Sequence, residues 1–170
     1  CSSDDIIYQN FAKESLEKLN DNPEYPFVFS NIIINNEMNN KKYFIKYSFL
    51  KKDKYSNYEV KKIFKQHQFK IYHNTVFFRS NYFLNSHLFK PSYGDRCDML
   101  NLYYISFKHG FLYLDQDLSE FTFRQGQQGR PKNDKYLLNE LIFLKKHNHL
   151  FYRNYIDCCH HYDFSPFAIY

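Results

Sequence analysis

The densest group of potential metal ligands lies near the carboxyl end of the sequence, where histidines and cysteines share one short segment. These residues are His147, His149, Cys158, Cys159, His160 and His161. Imidazole and thiolate groups bind zinc and copper. Two histidines separated by one residue, such as His147 and His149, would lie on the same face of a strand. The segment contains no Cys-x-x-Cys pair, however, and adjacent cysteines do not easily serve one tetrahedral ion. A metal site is therefore the weaker interpretation, and we expect no cofactor.

Paired carboxylates that could do chemistry occur in Asp115-Gln116-Asp117, with Glu120 nearby. Their oxygens could hold a hard cation, but a solvated acidic turn after a strand is the favoured interpretation. The sequence has no Gly-x-Ser-x-Gly motif, and its glycine-poor backbone offers few sharp turns for a nucleophile. No phosphate-binding loop or dinucleotide fingerprint is present either. We therefore expect no catalytic residues and no enzymatic activity.

Basic residues are concentrated in the middle of the chain, since residues 58–113 hold eight basic and three acidic side chains. Such a surplus favours an acidic partner surface, a phosphate or an anionic headgroup. A solvated lysine-rich face that keeps the protein soluble is the alternative. Interleaved rings would also suit nucleic acid, but rings spread over every segment indicate core packing, so we expect no nucleic acid. The predicted partner-binding basic face consists of Lys61, Lys62, Lys65, Lys70, Arg79, Lys90 and Arg96.

The elements that must position these side chains begin with an amphipathic helix over residues 4–20, where apolar residues recur at three- and four-residue spacing. Two extended runs, 27–34 and 43–50, flank the turn-forming residues 35–40 and predict a β-hairpin. A short helix follows over residues 58–65. These elements predict a helix packed on a sheet.

Further strands are predicted from runs rich in aromatic and β-branched residues. They cover residues 69–73, 76–79, 99–107, 111–114 and 121–124. Gly110 can supply the positive φ angle that a tight hairpin turn demands between two of these runs. Strands joined in this way are antiparallel.

The remaining segments are two loops, a second helix and an apolar tail. Residues 81–95 and 125–132 are predicted to be long loops, and such loops are where binding is usually placed. A helix is predicted over 134–146, and the aromatic tail at 152–170 should dock on the body. The predicted fold class is α+β: an antiparallel sheet of about five to seven strands, with the amino-terminal helix and the 134–146 helix packed on it.

The composition indicates a single globular domain over residues 1–170. The chain contains 19 Phe and 17 Tyr but no Trp, so aromatic rings must fill most of the core. Only four Gly and five Pro occur, which disfavours disordered and fibrous classes. No apolar run approaches the roughly 18 residues of a membrane span, so we expect no bilayer crossing.

The sequence begins Cys1-Ser2-Ser3-Asp4-Asp5, and this start resembles that of a mature bacterial lipoprotein. The resemblance implies that a signal peptide is cleaved immediately before Cys1, and that Cys1 carries the lipid. Ser2 rather than Asp at the second position implies an outer-membrane anchor facing the periplasm. Several acyl chains suffice for stable anchoring without a span. A terminal cysteine that carries no lipid is the alternative.

An oxidising envelope location would favour a disulfide between Cys97 and either Cys158 or Cys159, with one sulfur left over. A bridge between the two adjacent cysteines is possible but strained. The leading functional hypothesis is an immunity lipoprotein, which binds and neutralises a protein toxin without catalysis. One alternative is a structural lipoprotein subunit of an envelope or secretion assembly, and another is a metal- or nucleic-acid-binding domain outside the envelope.

Overall fold

The computed structural model of the protein describes residues 5–67, 70–85 and 97–124. Within these residues, six strands form one sheet, accompanied by helices, and the predicted α+β class is confirmed. The strands are β1 (Ile6–Ile7), β2 (Phe27–Asn36), β3 (Lys41–Ile45), β4 (Lys54–Tyr55), β5 (Val76–Phe78) and β6 (Phe111–Phe123). The helices are α1 (Phe11–Asn20), α2 (Asn57–Gln66), α3 (Ser80–Asn85), α4 (Cys97–His109) and a short 3₁₀ helix (His73–Thr75).

The two long strands β2 and β6 form the centre of the sheet and run parallel to each other. The other pairs are antiparallel: β1 and β4 pair with β6, while β3 and β5 pair with β2. The prediction of an antiparallel sheet is therefore wrong for its central pair. The chain passes from β2 to β6 through residues 37–110, and parallel pairing requires such a long connection to return to the same end of the sheet.

The core lies against the first part of β2, where residues 27–33 are all buried. The ring of Phe29 contacts those of Phe111, Tyr113 and Tyr47, with centroid distances of 5.0, 5.2 and 5.4 Å. Ring pairs of this kind contribute beyond the area that they bury. Aromatic rings also make up most of the main cluster of buried side chains, so the prediction of an aromatic core is confirmed for the described residues.

The amino-terminal helix begins only at Phe11, later than predicted. Ile6 and Ile7 pair instead with Glu120 and Ser119 of β6. The two isoleucines fit a strand because β-branched side chains are stiff at χ1 and pack well on a pleated surface. Their partner strand lies far away in the sequence, so local spacing gave no sign of the pairing.

Helix α2 confirms the short helix predicted for residues 58–65. A capping box begins it: Ser56 Oγ accepts from the backbone N–H of Glu59, and the Glu59 carboxylate accepts from the N–H of Ser56 at 3.0 Å. Lys52 Nζ donates to the same carboxylate at 2.7 Å. The hydrogen bonds from Lys52 and Ser56 stabilise the ionised form and lower the pKa of Glu59 to about 2.

Residues 99–107, predicted as a strand, lie within α4. Nearly all the side chains at 101–107 are buried, so this part of the helix lacks a polar face and its period does not show in the sequence. Gly110 has a positive φ of 86°, but it ends the helix rather than turning a hairpin. Its N–H donates to the carbonyl of Ser106 at 2.8 Å. Strand β6 begins at the next residue.

The predicted hairpin is confirmed, although its second arm is shorter than residues 43–50 and ends at Ile45. Beyond Ile45 the chain turns so that Tyr47 enters the core, where its hydroxyl donates to the carbonyl of Lys70 at 2.8 Å. Strand β5 confirms most of the strand predicted at 76–79.

Other predicted segments differ or lie beyond the described part. The strand predicted at 69–73 is not found among its described residues, because the Thr75 hydroxyl and N–H both bond to the carbonyl of Tyr72 and close a 3₁₀ turn there. The loop predicted at 81–95 starts inside α3. The strands predicted at 111–114 and 121–124 are two parts of the continuous β6.

The predictions for residues 125–132, 134–146 and 152–170 fall outside the described residues. None of the helices in the described part of the chain combines the length and the apolar character that a membrane-spanning helix needs.

Candidate functional site

The β2–β3 hairpin leaves the buried body of the sheet after residue 33 of β2, and the last three residues of that strand are only partly buried. A four-residue loop, 37–40, joins the two strands. Asparagine side chains hold this loop: Asn36 Oδ1 accepts from the N–H of Met38, and Asn39 Oδ1 accepts from the N–H of Lys41. The hairpin loop is therefore held by local hydrogen bonds.

Strand β3 is exposed along nearly its whole length, since residues 41–44 are all exposed and only Ile45 is partly buried. Successive residues of a strand point to opposite faces. Both faces of β3 are therefore open to solvent, and among the described strands β3 pairs only with β2. Such a strand buries little, so packing against the described core does not explain its aromatic residues.

Four exposed apolar side chains lie at this end of the sheet, and we call them the hairpin patch: Met38, Tyr43, Phe44 and Phe123. Met38 and Phe44 are each 61% exposed. Tyr43 and Phe44 are neighbours in β3 and so lie on opposite faces, whereas Phe123 lies across β2 from Lys41. The hairpin patch therefore offers apolar groups on both faces of the sheet, and exposed apolar groups that lie near one another are candidates for an interaction surface.

The residues around the hairpin patch are mainly basic. Lys41, Lys42 and Lys46 lie on or directly after β3. The acidic residue of the hairpin loop, Glu37, accepts a hydrogen bond from Arg124 Nε at 2.9 Å, so its charge is already paired. The hairpin therefore presents rings next to positive charge.

Lys42 has a structural role in addition to its charge. Its Nζ donates at 2.9 Å to the carboxylate of Glu120, which is only 2% exposed, and Tyr8 OH donates to the same oxygen at 3.3 Å. The bond to Glu120 raises the pKa of Lys42, while burial and then the charge of Glu120 raise the pKa of Tyr8. This ion pair fixes β3 to β6 across β2, because an unpaired buried carboxylate would be costly.

The acidic group at 115–120 lies inside β6, not in a turn, so the turn interpretation is wrong. The ladder between β2 and β6 shifts register on either side of Asn31, and a bulge of this kind kinks a strand locally. Asp115 accepts from Asn31 Nδ2 at 2.8 Å, Asp117 lies 3.9 Å from Lys46 Nζ, and Glu120 binds Lys42. Each carboxylate thus has its own partner, and the described residues contain no group of potential ligands able to hold a metal ion.

The hydroxyl of Tyr113 completes a buried network beneath the kink. It donates to Asn31 Oδ1 at 2.5 Å, and it lies 3.3 Å from Asp115 Oδ1. Burial and the nearby charge of Asp115 raise the pKa of Tyr113, so this phenol stays protonated. The network satisfies a fully buried asparagine in the central strand, and we assign it a structural role.

The structure does not gather the predicted basic face into one described surface. Lys61, Lys62 and Lys65 lie on α2, whereas Lys70 is partly buried with its Nζ 4.7 Å from the centroid of the Tyr72 ring. Burial lowers the pKa of Lys70.

Arg79 has a structural role, because its guanidinium binds backbone carbonyls. Its guanidinium donates to the carbonyl of Leu19 at 2.5 Å and to that of Tyr25 at 3.2 Å, and so secures the end of α1. Lys90 and Arg96 lie outside the described residues. That Lys61 and Lys62 take part in binding stays a prediction.

The cysteine and histidine predictions fall largely beyond the described part of the chain. Cys97 is the first residue of α4. Cys1 and the segment that holds Cys158, Cys159 and the four weak metal candidates lie outside the described residues.

Sequence reasoning missed the hairpin patch, although part of its signal was visible. The alternation of side chains over residues 43–50 is typical of a half-buried strand with one packed face, so it predicts burial where the structure shows exposure. The combination of Tyr43 and Phe44 with three nearby lysines in a run next to a loop could have indicated exposure.

No protein-family model matches this chain, and comparisons with curated proteins and with solved structures find no match either.

Proposed function

We propose that this protein is a non-enzymatic binding domain that recognises another protein through the hairpin patch. The observation that carries the proposal is strand β3, which exposes Tyr43 and Phe44 on its two faces and buries neither. Tyr43 is fixed in place, because its hydroxyl accepts a hydrogen bond from Asn39 Nδ2 at 2.9 Å. Ordered aromatic side chains make good interface anchors, because they bury a large area at a small cost in entropy.

The charges around the hairpin patch favour an acidic partner. Lys41 has no ion-pair partner among the described residues, and Lys46 lies at the limit of ion pairing with Asp117. Positive charge at the rim of an apolar patch speeds association with an acidic surface and disfavours basic ones. The expected partner therefore combines acidic residues with an apolar centre.

The more specific form of the proposal is an immunity lipoprotein that neutralises a protein toxin at the outer membrane, facing the periplasm. The resemblance of Cys1-Ser2-Ser3 to a lipoprotein terminus supports the envelope location. A basic, aromatic docking surface supports the toxin, since an inhibitor needs a tight and specific protein contact rather than chemistry. The structural-subunit alternative predicts a stoichiometric complex with several envelope proteins instead.

The test uses the purified protein that is encoded by the reading frame next to this gene. We expect calorimetric titration to show binding, and we expect co-expression to rescue the growth of cells that make that neighbour. Phe44→Ala should weaken binding by about tenfold or more, which corresponds to about 1.4 kcal/mol. Lys46→Glu should slow association, most clearly at low salt.

The controls change an exposed ring or an exposed charge elsewhere on the protein. Tyr58 on α2 is 74% exposed, so Tyr58→Ala removes a ring that is even more accessible than that of Phe44 and lies away from the hairpin. Lys62→Glu reverses a charge on the predicted basic face. Binding that is lost in these controls and kept in Phe44→Ala would move the contact to α2. A neighbour that neither binds nor is neutralised would refute the immunity role.

A further inference from the structure

We infer that the partner binds by adding a strand of its own to the open edge of β3. This inference rests on the proposed function and specifies how the hairpin patch is used. It requires an edge with unused backbone groups, side chains on both faces that an added strand could contact, and charges that select that strand. All three lie on β3.

The first requirement is a free row of backbone donors and acceptors. In an antiparallel ladder every second residue turns its N–H and C=O away from its partner strand. Over the five residues of β3, at least two residues therefore direct both groups outward, either Lys42 and Phe44 or the alternate set. Residues 41–44 are exposed, and no other described strand pairs with this side of β3. Backbone groups of this kind are a template for strand pairing.

The second requirement is side-chain contact on both faces of the added strand. An incoming strand alternates its own side chains above and below the sheet, so it would meet Tyr43 on one face and Phe44 on the other. Directly opposed cross-strand pairs lie about 4.5–5.5 Å apart, and aromatic residues paired with aromatic or β-branched residues stabilise a sheet. An aromatic ring on each face of an edge strand therefore suits a strand better than it suits a helix or a flat surface.

The third requirement is selection against wrong strands. Lysine on an edge strand normally prevents association, because it repels copies of the same edge. A second copy of this chain would bring Lys41 and Lys46 against the same lysines, while the charge of Lys42 is already paired with Glu120. A segment that carries Asp or Glu would relieve this repulsion, since opposite charges stabilise cross-strand pairs. The geometry thus points to an extended acidic segment of a partner protein, with an aromatic or β-branched residue among its acids.

Edge protection alone is a simpler account of the three lysines. It does not account for Tyr43 and Phe44, because exposed aromatic residues make an edge more adhesive rather than less. The lysines repel a second copy of the same edge, whereas the neighbouring rings can pack against an added strand. This combination favours an edge that binds a particular strand over an edge that only avoids aggregation.

Amide hydrogen exchange tests the inference on the complex with the purified protein encoded by the neighbouring reading frame. Strand addition predicts that alternate amides of β3 gain protection on binding, either 42 and 44 or 41, 43 and 45, by about tenfold or more. The amides of the same strand that already bond to β2 should change little. Amides in α2 serve as the control and should not change.

A proline pair gives a second measurement that does not depend on exchange rates. Lys42→Pro and Tyr43→Pro each remove one backbone donor, and these neighbouring donors point in opposite directions. Each proline variant is compared with the alanine variant at the same position, which removes the same side chain, including the Lys42 partner of Glu120, but keeps the backbone donor. We expect the proline variant that loses the outward donor to match the melting temperature of its alanine counterpart and to bind tenfold or more weakly than that counterpart. Its neighbour should destabilise the hairpin, because it loses a bond to β2.

The outcomes separate this inference from the proposed function. If Phe44→Ala weakens binding while no amide of β3 gains protection, the hairpin binds by side chains alone and strand addition is wrong. A proline variant that folds and binds as tightly as the alanine variant at its position, with its outward donor removed, leads to the same conclusion. A neighbour protein that does not bind at all overturns both proposals together.

Discussion

Phe29 and Phe44 lie on adjacent strands of one hairpin, yet the sheet uses them in opposite ways. Phe29 is fully buried among the rings of Phe111, Tyr113 and Tyr47, whereas Phe44 is mostly exposed on β3. Strand β2 connects the two environments, because its first seven residues are buried and its last three are only partly buried. An abundance of aromatic residues is thus not by itself a sign of core packing.

The comparison also separates stability from recognition within a single sheet. Side chains of the buried half contribute free energy of unfolding, while those of the hairpin patch are available to a partner. If this division is correct, substitutions in the buried half should change the free energy of unfolding, and substitutions in the hairpin patch should change the affinity for the partner. Pairs of variants, one from each region, can test the division.

The largest effect is expected for Phe29→Ala. Removing a fully buried ring should cost about 3–5 kcal/mol of the free energy of unfolding, because contacts are lost and a cavity remains. Phe44→Ala should change it by less than about 0.5 kcal/mol. Chemical denaturation of the two variants measures both values. If the two variants lost similar amounts of the free energy of unfolding, β3 would have to pack against part of the protein. The difference proposed between Phe29 and Phe44 would then be wrong.

The next effect concerns the two residues with positive φ in the described chain. At Gly110 an added Cβ would lie 2.1 Å from the carbonyl oxygen of Tyr55, so Gly110→Ala combines strain with a backbone clash. We expect Gly110→Ala to lower the free energy of unfolding by about 2 kcal/mol or more. Asn40, with a φ of 54°, lies in the hairpin loop, and Asn40→Gly should be nearly neutral. Thermal denaturation that ranks the two variants the other way would contradict the packing described at Gly110.

A smaller loss is expected from Tyr113→Phe. This change removes the hydroxyl that donates to Asn31 and leaves a buried amide oxygen without that donor, at a cost of about 1–2 kcal/mol. Tyr43→Phe removes an exposed hydroxyl that accepts a hydrogen bond from Asn39. Denaturation should show a decrease of less than about 0.5 kcal/mol in the free energy of unfolding. Equal losses would mean that the hairpin network matters as much to folding as the buried one.

The smallest effect should depend on pH. Glu59 has an ordinary pKa of 4.5 that folding lowers to about 2, so its stabilising contribution is complete above pH 4.5 and is lost as the pH falls towards 2. Because Glu59 is partly exposed, we expect Glu59→Gln to cost less than about 1 kcal/mol at pH 7 and close to nothing near pH 2. The melting temperatures of the wild type and of Glu59→Gln should converge at low pH. A difference between them that grows on acidification would contradict the role given to the Glu59 carboxylate.

How much of the molecule the sequence could predict depends on how local each signal is. The hairpin followed from an asparagine-rich turn, and α2 followed from the spacing of Val60, Ile63 and Phe64; both signals act within a few residues. Helix α4 was missed because nearly all of the side chains at 101–107 are buried, and a helix without a polar face shows no period. The parallel pairing of β2 with β6 joins segments far apart in the chain, so no local pattern could indicate it.

The candidate site shows the same limit. That Tyr43 and Phe44 belong to a strand was predictable, but their exposure depends on what packs on either face of β3. Arg79 was assigned to a binding face because of its charge alone, and only the fold places its guanidinium against the carbonyls of Leu19 and Tyr25. Charge counted along a sequence therefore overestimates the surface available to a partner.

The central claim is that the hairpin patch serves recognition and not folding. Calorimetric titration of the neighbour-encoded protein with the wild type, Phe44→Ala and Tyr58→Ala, all shown to be equally stable, tests it most directly. The account predicts at least about a tenfold weaker affinity for Phe44→Ala alone. Equal affinity for all three proteins would contradict it.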